Sequence, residues 1–182
     1  MGWIRLTDEA SGYLLTESGY YLLGEEMADS IAQRIVSALM ARVADILVSG
    51  GYATDCGKGV HWGVRTVGLE MLPCVVVWPE PEIMQSRLLA GTPATFSRRV
   101  GFEAIHAIQS GIDPGITGER LIADLKVALL GPADQTVGGL VEYLELSESS
   151  SALKEDGSSM VGGVIYLTAH YIARYGDPYI VD

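Results

Sequence analysis

From Asp29 the apolar residues fall at steps of three and four. Ile31, Ile35, Leu39, Val43 and Ile46 or Leu47 line up, with Gln33, Arg34, Ser37, Arg42 and Asp45 between them. This is the period of an amphipathic helix. Ser30 and Gln33 have the spacing of a capping box, in which each side chain satisfies a backbone N–H of the first turn. Gly50-Gly51 is expected to end the helix, because glycine reaches the left-handed conformation cheaply. Tyr52 to Leu72 is Gly-rich and reads as a long loop of the kind that forms contact surfaces. Pro73 to Trp78 is a β-branched run, and Pro79-Glu80-Pro81 predicts a hard stop to that strand. Glu82 to Ser97 has no clear period and reads as a second extended loop.

Arg98 to Gln109 alternates as a strand, with Val100, Phe102, Ala104, His106 and Ile108 on one face and Arg99, Glu103 and Gln109 on the other. A helical reading aligns Phe102, Ile105 and Gln109 less cleanly. Gly111 to Gly115 is turn chemistry, and Thr117 is the expected cap of a second helix carrying Leu121, Ile122, Leu125, Ala128 and Leu129. Gly131-Pro132 closes it, and Glu119 falls in the expected first turn, where the helix dipole favours negative charge. Gly139 to Leu146 alternates loosely as a strand, and Ser147 to Ser159 reads as an exposed, acidic, Ser-rich connection. Gly163 to Tyr175 has the clearest alternation in the chain, with Ile165, Leu167, Ala169, Tyr171, Ala173 and Tyr175 on one face.

Near the N-terminus, Ser11-Gly-Tyr-Leu-Leu-Thr-Glu17 is repeated at once as Ser18-Gly-Tyr-Tyr-Leu-Leu-Gly-Glu25. Each copy joins a Ser-Gly turn signal to an aromatic-aliphatic run, which predicts a β-hairpin. An isolated hairpin is marginal in water, so it needs the main body or a neighbour to pack on. The expected fold is therefore α+β, a mostly antiparallel sheet with two flanking helices (α-β-β-α-β-β) preceded by an N-terminal β-hairpin. Residues 1–25 form the extension and 26–182 the main domain.

The chain has 182 residues, 48% of them hydrophobic and 19% charged, a globular composition. Mean hydropathy is +0.25, yet no apolar run approaches the roughly 20 residues of a bilayer span, so no membrane partner is expected. Surplus apolar surface without a span points to burial between subunits. Net charge is −11, which speaks against holding nucleic acid by phosphate neutralisation. The excess is uneven: residues 1–60 carry a net −4, residues 61–110 a net 0 and residues 111–182 a net −7. Cys56 and Cys74 are too few and too far apart for a disulfide framework, and read as reduced thiols of a chain made in a reducing cytoplasm. The first residues lack a secretory apolar segment.

No catalytic constellation emerges. His61, His106 and His170 are far apart and follow no metal-ligand spacing. The Gly57-to-Gly63 stretch has glycines and Lys58, but lacks the Gly-Lys-Ser/Thr ending that holds phosphate and magnesium. Ser151-Ala-Leu-Lys154 matches Ser-x-x-Lys without its partner motifs. Glu80 and Glu82 flank Pro81 at a strand stop, where solvated carboxylates are ordinary. The expectation is a non-enzyme with no cofactor and no metal. His61-Trp62 reads instead as a loop contact surface.

The last strand, Gly163-Val-Ile-Tyr-Leu-Thr-Ala-His-Tyr-Ile-Ala-Arg-Tyr-Gly-Asp-Pro178, resembles the final strand of tail terminator (tail completion) proteins of long-tailed bacteriophages. The preceding elements follow the same plan: the capped first helix, Cys74–Trp78, Arg98–Gln109, Gly118-Glu-Arg-Leu-Ile-Ala-Asp-Leu125 and Leu140–Leu146. The resemblance covers about residues 29–178 and is one of element order rather than of an invariant signature. It implies a structural virion protein of the tail or neck, assembled in the bacterial host cytoplasm as a homo-oligomeric ring, usually hexameric. One face would cap the tail tube protein and end elongation, while the other would meet the neck or head–tail connector. DNA would pass through the lumen without specific binding, and a negative lumen would keep it from adhering. Glu142, Glu145, Glu148, Glu155 and Asp156 are candidates for that acidic lumen or for a tube-facing edge. A solubilising hairpin tip explains them equally well. The alternatives are a head-completion or neck connector protein, and a ferredoxin-like ligand-binding or regulatory domain.

Overall fold

The computed structural model describes residues 13–15, 21–23, 29–86, 89, 91–131, 134–153 and 159–180. Strands β1 (Tyr13–Leu15) and β2 (Tyr21–Leu23) pair antiparallel with each other. The rest of residues 1–28, and with it the hairpin extension expected from the repeat, lies outside the described residues.

Helix α1 spans Ile31–Ala44 and begins with the expected capping box. Gln33 N–H donates to the Ser30 hydroxyl at 3.2 Å, and Ser30 N–H donates to the Gln33 side-chain oxygen at 3.0 Å. Its inward stripe, Ile31, Ile35, Val36, Leu39 and Val43, is buried. The helix ends six residues earlier than Gly50-Gly51. Asp45 N–H bonds back to the carbonyls of Arg42 and Val43, which tightens the last turn. Leu47 is extended at φ −132°, and Gly51, at φ 91°, closes a separate 3-10 turn over Val48–Gly50.

The main sheet has five strands in the order β3-β4-β5-β7-β6. Strand β3 (Val60–Trp62) runs parallel to β4 (Cys74–Met84), so the expected 52–72 loop is corrected to a short edge strand flanked by 3-10 turns. The element order is α-β-β-β-α-β-β. Gly57 enters this strand directly beneath α1: an added Cβ there would sit 2.5 Å from the Val43 carbonyl oxygen. The glycine stands where it does because the backbone passes under the helix end.

Pro79-Glu80-Pro81 does not stop β4. One extra residue between Pro79 and Glu82 forms a bulge, after which Glu82 pairs with Arg98 and the strand continues to Met84. Strand β5 correspondingly starts at Pro93 and runs to Ala107, so the expected loop over 82–97 shrinks to the turn between these strands. Residues 98–107 are a strand as expected.

Helix α2 spans Pro114–Leu130 and is capped by Asp113, not Thr117. The Asp113 carboxylate accepts from Gly115 N–H at 2.8 Å, and Pro114 supplies the preset φ of a first helical residue. Glu119 consequently lies in the second turn, where its Oε1 accepts from the Ser151 hydroxyl at 2.8 Å. Strand β6 covers Tyr143–Leu153, so the Ser-rich stretch through Leu153 is sheet rather than connection. Its serines hold strand geometry because every residue pairs with β7 (Met160–Arg174), apart from the bulge between Leu146 and Glu148.

Both helices cover one face of the sheet. Val75, Val77, Val100, Phe102, Ala104, Ile165, Leu167, Ala169, Tyr171 and Ala173 meet the helix residues in one core. The β7 alternation is as read from the sequence, except that Tyr175 lies past the strand and is partly exposed. Where α2 crosses β7 the fit is close: a Cβ on Gly163 would lie 3.1 Å from the Gly118 carbonyl. On the opposite face, Cys74, Val76 and Ile105 form a small second cluster under Val64, Val67 and Leu72. Among the described residues, the rest of that face carries no helix.

Candidate interaction surface

The uncovered face owes its chemistry to strand parity. On β5 the residues pointing away from the helices include Arg99, Gly101 and Glu103, and on β7 they include Val164, Tyr166, Thr168, His170 and Ile172. Gly101 sits opposite Tyr166, whose ring fills its place: an added Cβ would be 2.8 Å from the ring. The Arg99 guanidinium lies over the same ring at 4.1 Å from the centroid. It also faces Glu80 at 3.5 Å and Glu148 at 3.2 Å. These ions are more than a third exposed, so each pair is worth at most about 1 kcal/mol. Their effect is to hold the guanidinium flat on the sheet.

Towards β6, His170 stacks on Tyr143 with centroids 4.3 Å apart, and its Nε2 lies 3.3 Å from Glu145. The Ser147 and Thr168 hydroxyls are bonded at 2.8 Å. Glu145 and Glu148 are three residues apart, a spacing that in a regular strand would send them to opposite faces. The bulge after Leu146 inserts the extra residue that puts both on the open face.

The candidate residues from the sequence divide into two places. Glu142, Glu145 and Glu148 lie at or on β6, one terminal strand of the sheet, and all three are exposed. Glu142 N–H also donates to the His170 carbonyl at 2.8 Å. His61 and Trp62 lie on β3, the other terminal strand, with Trp62 46% exposed. Within one chain the two groups are therefore separated by the full width of the sheet. Glu155 and Asp156 lie outside the described residues. Sequence reading missed Arg99, Tyr143, Tyr166 and His170 as neighbours. The signal for them was the mixed, polar face of the Gly163–Tyr175 alternation.

Other polar groups serve the fold. Asp124 on α2 is buried and accepts from Ala53 N–H at 3.0 Å, Thr54 N–H at 2.8 Å and the Thr54 hydroxyl at 2.7 Å, pinning that loop to the helix. Asp134 accepts from Thr136 and Gly138 and lies 3.0 Å from Arg42, joining the turn after α2 to α1. The hydrogen bond from the Thr136 hydroxyl, then that from Gly138 N–H, holds the Asp134 carboxyl below its usual range. Cys56 and Cys74 form no disulfide and are buried, and burial pushes the Cys56 thiol up to about 11.

A cavity of about 160 Å³ at the start of α1 is lined by Ile31, Glu82, Phe96 and Tyr171. Burial, then the hydrogen bond to Glu82, raises the Tyr171 hydroxyl above its ordinary value. A second cavity of about 150 Å³ includes Asp55, His106 and Arg120. His106 Nδ1 is 2.8 Å from the Ala107 carbonyl oxygen. Among the described residues no group of three His, Cys, Asp or Glu converges on a metal-sized site, and no helix is long and apolar enough to cross a membrane. What the uncovered face and its two edge strands offer is contact: flat aromatic rings, a fixed guanidinium and exposed carboxylates. The sequence matches no protein-family model and no curated protein sequence.

Proposed function

We propose that this chain is the subunit of a structural ring that closes the end of a phage tail tube and joins it to the neck. The observation that carries this reading is the placement of exposed apolar groups at both edges of one sheet. On the β3–β4 side stand Trp62, Trp78 and Ile83, the last 62% exposed; on the β6 side stand Tyr143, 51% exposed, and Leu146. The two sets differ in sequence and shape. A contact that buries one against the other joins unlike surfaces of successive copies, and such a head-to-tail contact closes into a ring when its rotation permits. A two-fold dimer would cover only one edge and leave the other wet. The net charge of −11 suits a channel that lets DNA slide. The resemblance of Gly163–Pro178 to the final strand of tail terminators supports assigning the ring to the end of a tail.

In this reading the N-terminal hairpin is an extension of the ring subunit, and the chain has a structural role rather than a catalytic one. The test is to add the purified protein to polymerising tail-tube protein. Capped tubes of limited length, with a ring at one end by negative-stain imaging, are expected. Unlimited tubes with no bound ring would overturn the assignment, and binding to a portal-side connector alone would move it one layer towards the head.

A further inference from the structure

The two terminal strands of the sheet differ in charge: β6 carries Glu145 and Glu148, while β3 (Val60–Trp62) carries no carboxylate. Residues 142–150, at the β6 edge, contain Glu142, Glu145 and Glu148 and no Lys or Arg. Around β3, residues 55–70 contain Asp55, Lys58, Arg65 and Glu70; Lys58 pairs with Asp55 at 2.8 Å, so the exposed Arg65 is the cation this edge offers. Glu145 and Glu148 are 61% and 57% exposed, and Lys58 is 58% exposed.

We infer that the partner of the β6 edge is the β3 edge of a second copy of this chain, the acidic strand of one subunit lying along the carboxylate-free strand of the next, beside its exposed Arg65. The inference rests on the ring reading and specifies its joint. Three observations select this pairing. First, β6 against β6 would set like carboxylates face to face, which is repulsive. Second, the outer part of β4, beyond β3, contains Pro79, Pro81 and the bulge, so it lacks two donors and is bent. Prolines and bulges are what keep an edge from accepting a strand. The joint is thereby steered to β3. Third, β3 is parallel to β4, while β4, β5, β7 and β6 alternate, so β3 and β6 run in opposite directions. A symmetry operation that preserves strand direction sets β3 antiparallel to the neighbour's β6, the more stable pairing. With only Val60–Trp62 in β3, the backbone ladder is short, and charge together with Trp62 and Tyr143 supplies the selectivity.

The joint brings Glu142, Glu145 and Glu148 to His61 and Trp62 between subunits, which no single chain does. A charge swap tests it. One variant, Glu142→Lys/Glu145→Lys, makes the β6 edge basic and leaves the Glu148–Arg99 pair intact. The other, Arg65→Glu/Thr66→Glu, makes the β3 edge acidic at two exposed positions. Each alone confronts like charges and is expected to raise the dissociation constant of assembly by at least about tenfold. Mixed in equal amounts, the two are complementary at both edges and should regain the wild-type mass in an alternating assembly, read by light scattering at low salt. Circular dichroism verifies folding, and Glu145→Gln with Arg65→Gln serve as milder variants, each weakening assembly a few-fold. Folded variants that assemble like wild type, or a mixture that stays apart, would overturn the joint while leaving the ring. A wild-type protein that remains at 19.5 kDa would overturn the ring reading, and the joint with it.

Discussion

Removing the Asp124 carboxylate should unfasten the loop that carries the chain from α1 towards β3. Asp124 is 5% exposed and takes three hydrogen bonds at 2.7–3.0 Å from Ala53 and Thr54. Hydrogen bonds to a charged group contribute about 1.5–3 kcal/mol each, part of which water restores once the loop relaxes. In Asp124→Ala the two N–H groups lose their acceptor, and Thr54 is itself only 7% exposed. The expected cost is about 3 kcal/mol, or a fall of roughly 6–12 °C in Tm for a chain of this size. Thr54→Val removes only the hydroxyl bond and should cost about 1 kcal/mol. Because both act through one cluster, the double variant should cost little more than Asp124→Ala alone. Urea unfolding followed by circular dichroism, at one fixed protein concentration so that the proposed assembly contributes equally throughout, gives all three values. A loss below about 1 kcal/mol for Asp124→Ala, or full additivity with Thr54→Val, would refute the pinning role.

Three further outcomes follow from the packing and the titrating groups. Gly57→Ala should destabilise by about 2–4 kcal/mol in the same unfolding assay, since its Cβ would meet the Val43 and Ala44 carbonyls at 2.5 and 2.7 Å, backbone that cannot step aside. The lowered Asp134 carboxyl makes a contribution that is complete above about pH 4 and is lost as pH falls through the folded value. Asp134→Asn should therefore flatten part of the acid limb of the stability–pH curve. Cys56 and Cys74 should resist a thiol reagent at pH 8 in the native protein and both react in denaturant, because each is buried and Cys56 is held protonated; labelling of either in the native state, read by mass spectrometry, would contradict their burial.

Features set by local pattern were legible in the sequence. The Ser30–Gln33 cap, the stripe from Ile31 to Val43 and the β7 alternation are decided by neighbours within a few residues, and all three stand in the structure. Features set by pairing partners were hidden. Val60–Trp62 is a strand because β4 lies beside it, and three residues carry no period of their own. Ser147–Leu153 has poor strand propensity but pairs along β7 and meets α2 through Ser151 and Glu119. The bulges at Pro79–Glu82 and Leu146–Glu148 each shift side-chain parity by one, so a strict alternation reading misplaces everything beyond them. For the same reason Glu145 and Glu148 could be picked out as acidic, while their meeting with His170 and Arg99 on one face could not. The second helix began early because Asp113-Pro114 is a stronger start than Thr117, a local signal that the turn reading of Gly111–Gly115 absorbed.

The central claim is that copies of this chain join edge to unlike edge and close. Native mass spectrometry of the purified wild-type protein, across a range of concentrations, tests it most directly. The account predicts one dominant closed species, a fixed multiple of 19.5 kDa and six by the resemblance to tail terminators, with no growth beyond it. A lone chain, a two-fold dimer or an open-ended ladder of masses would contradict it.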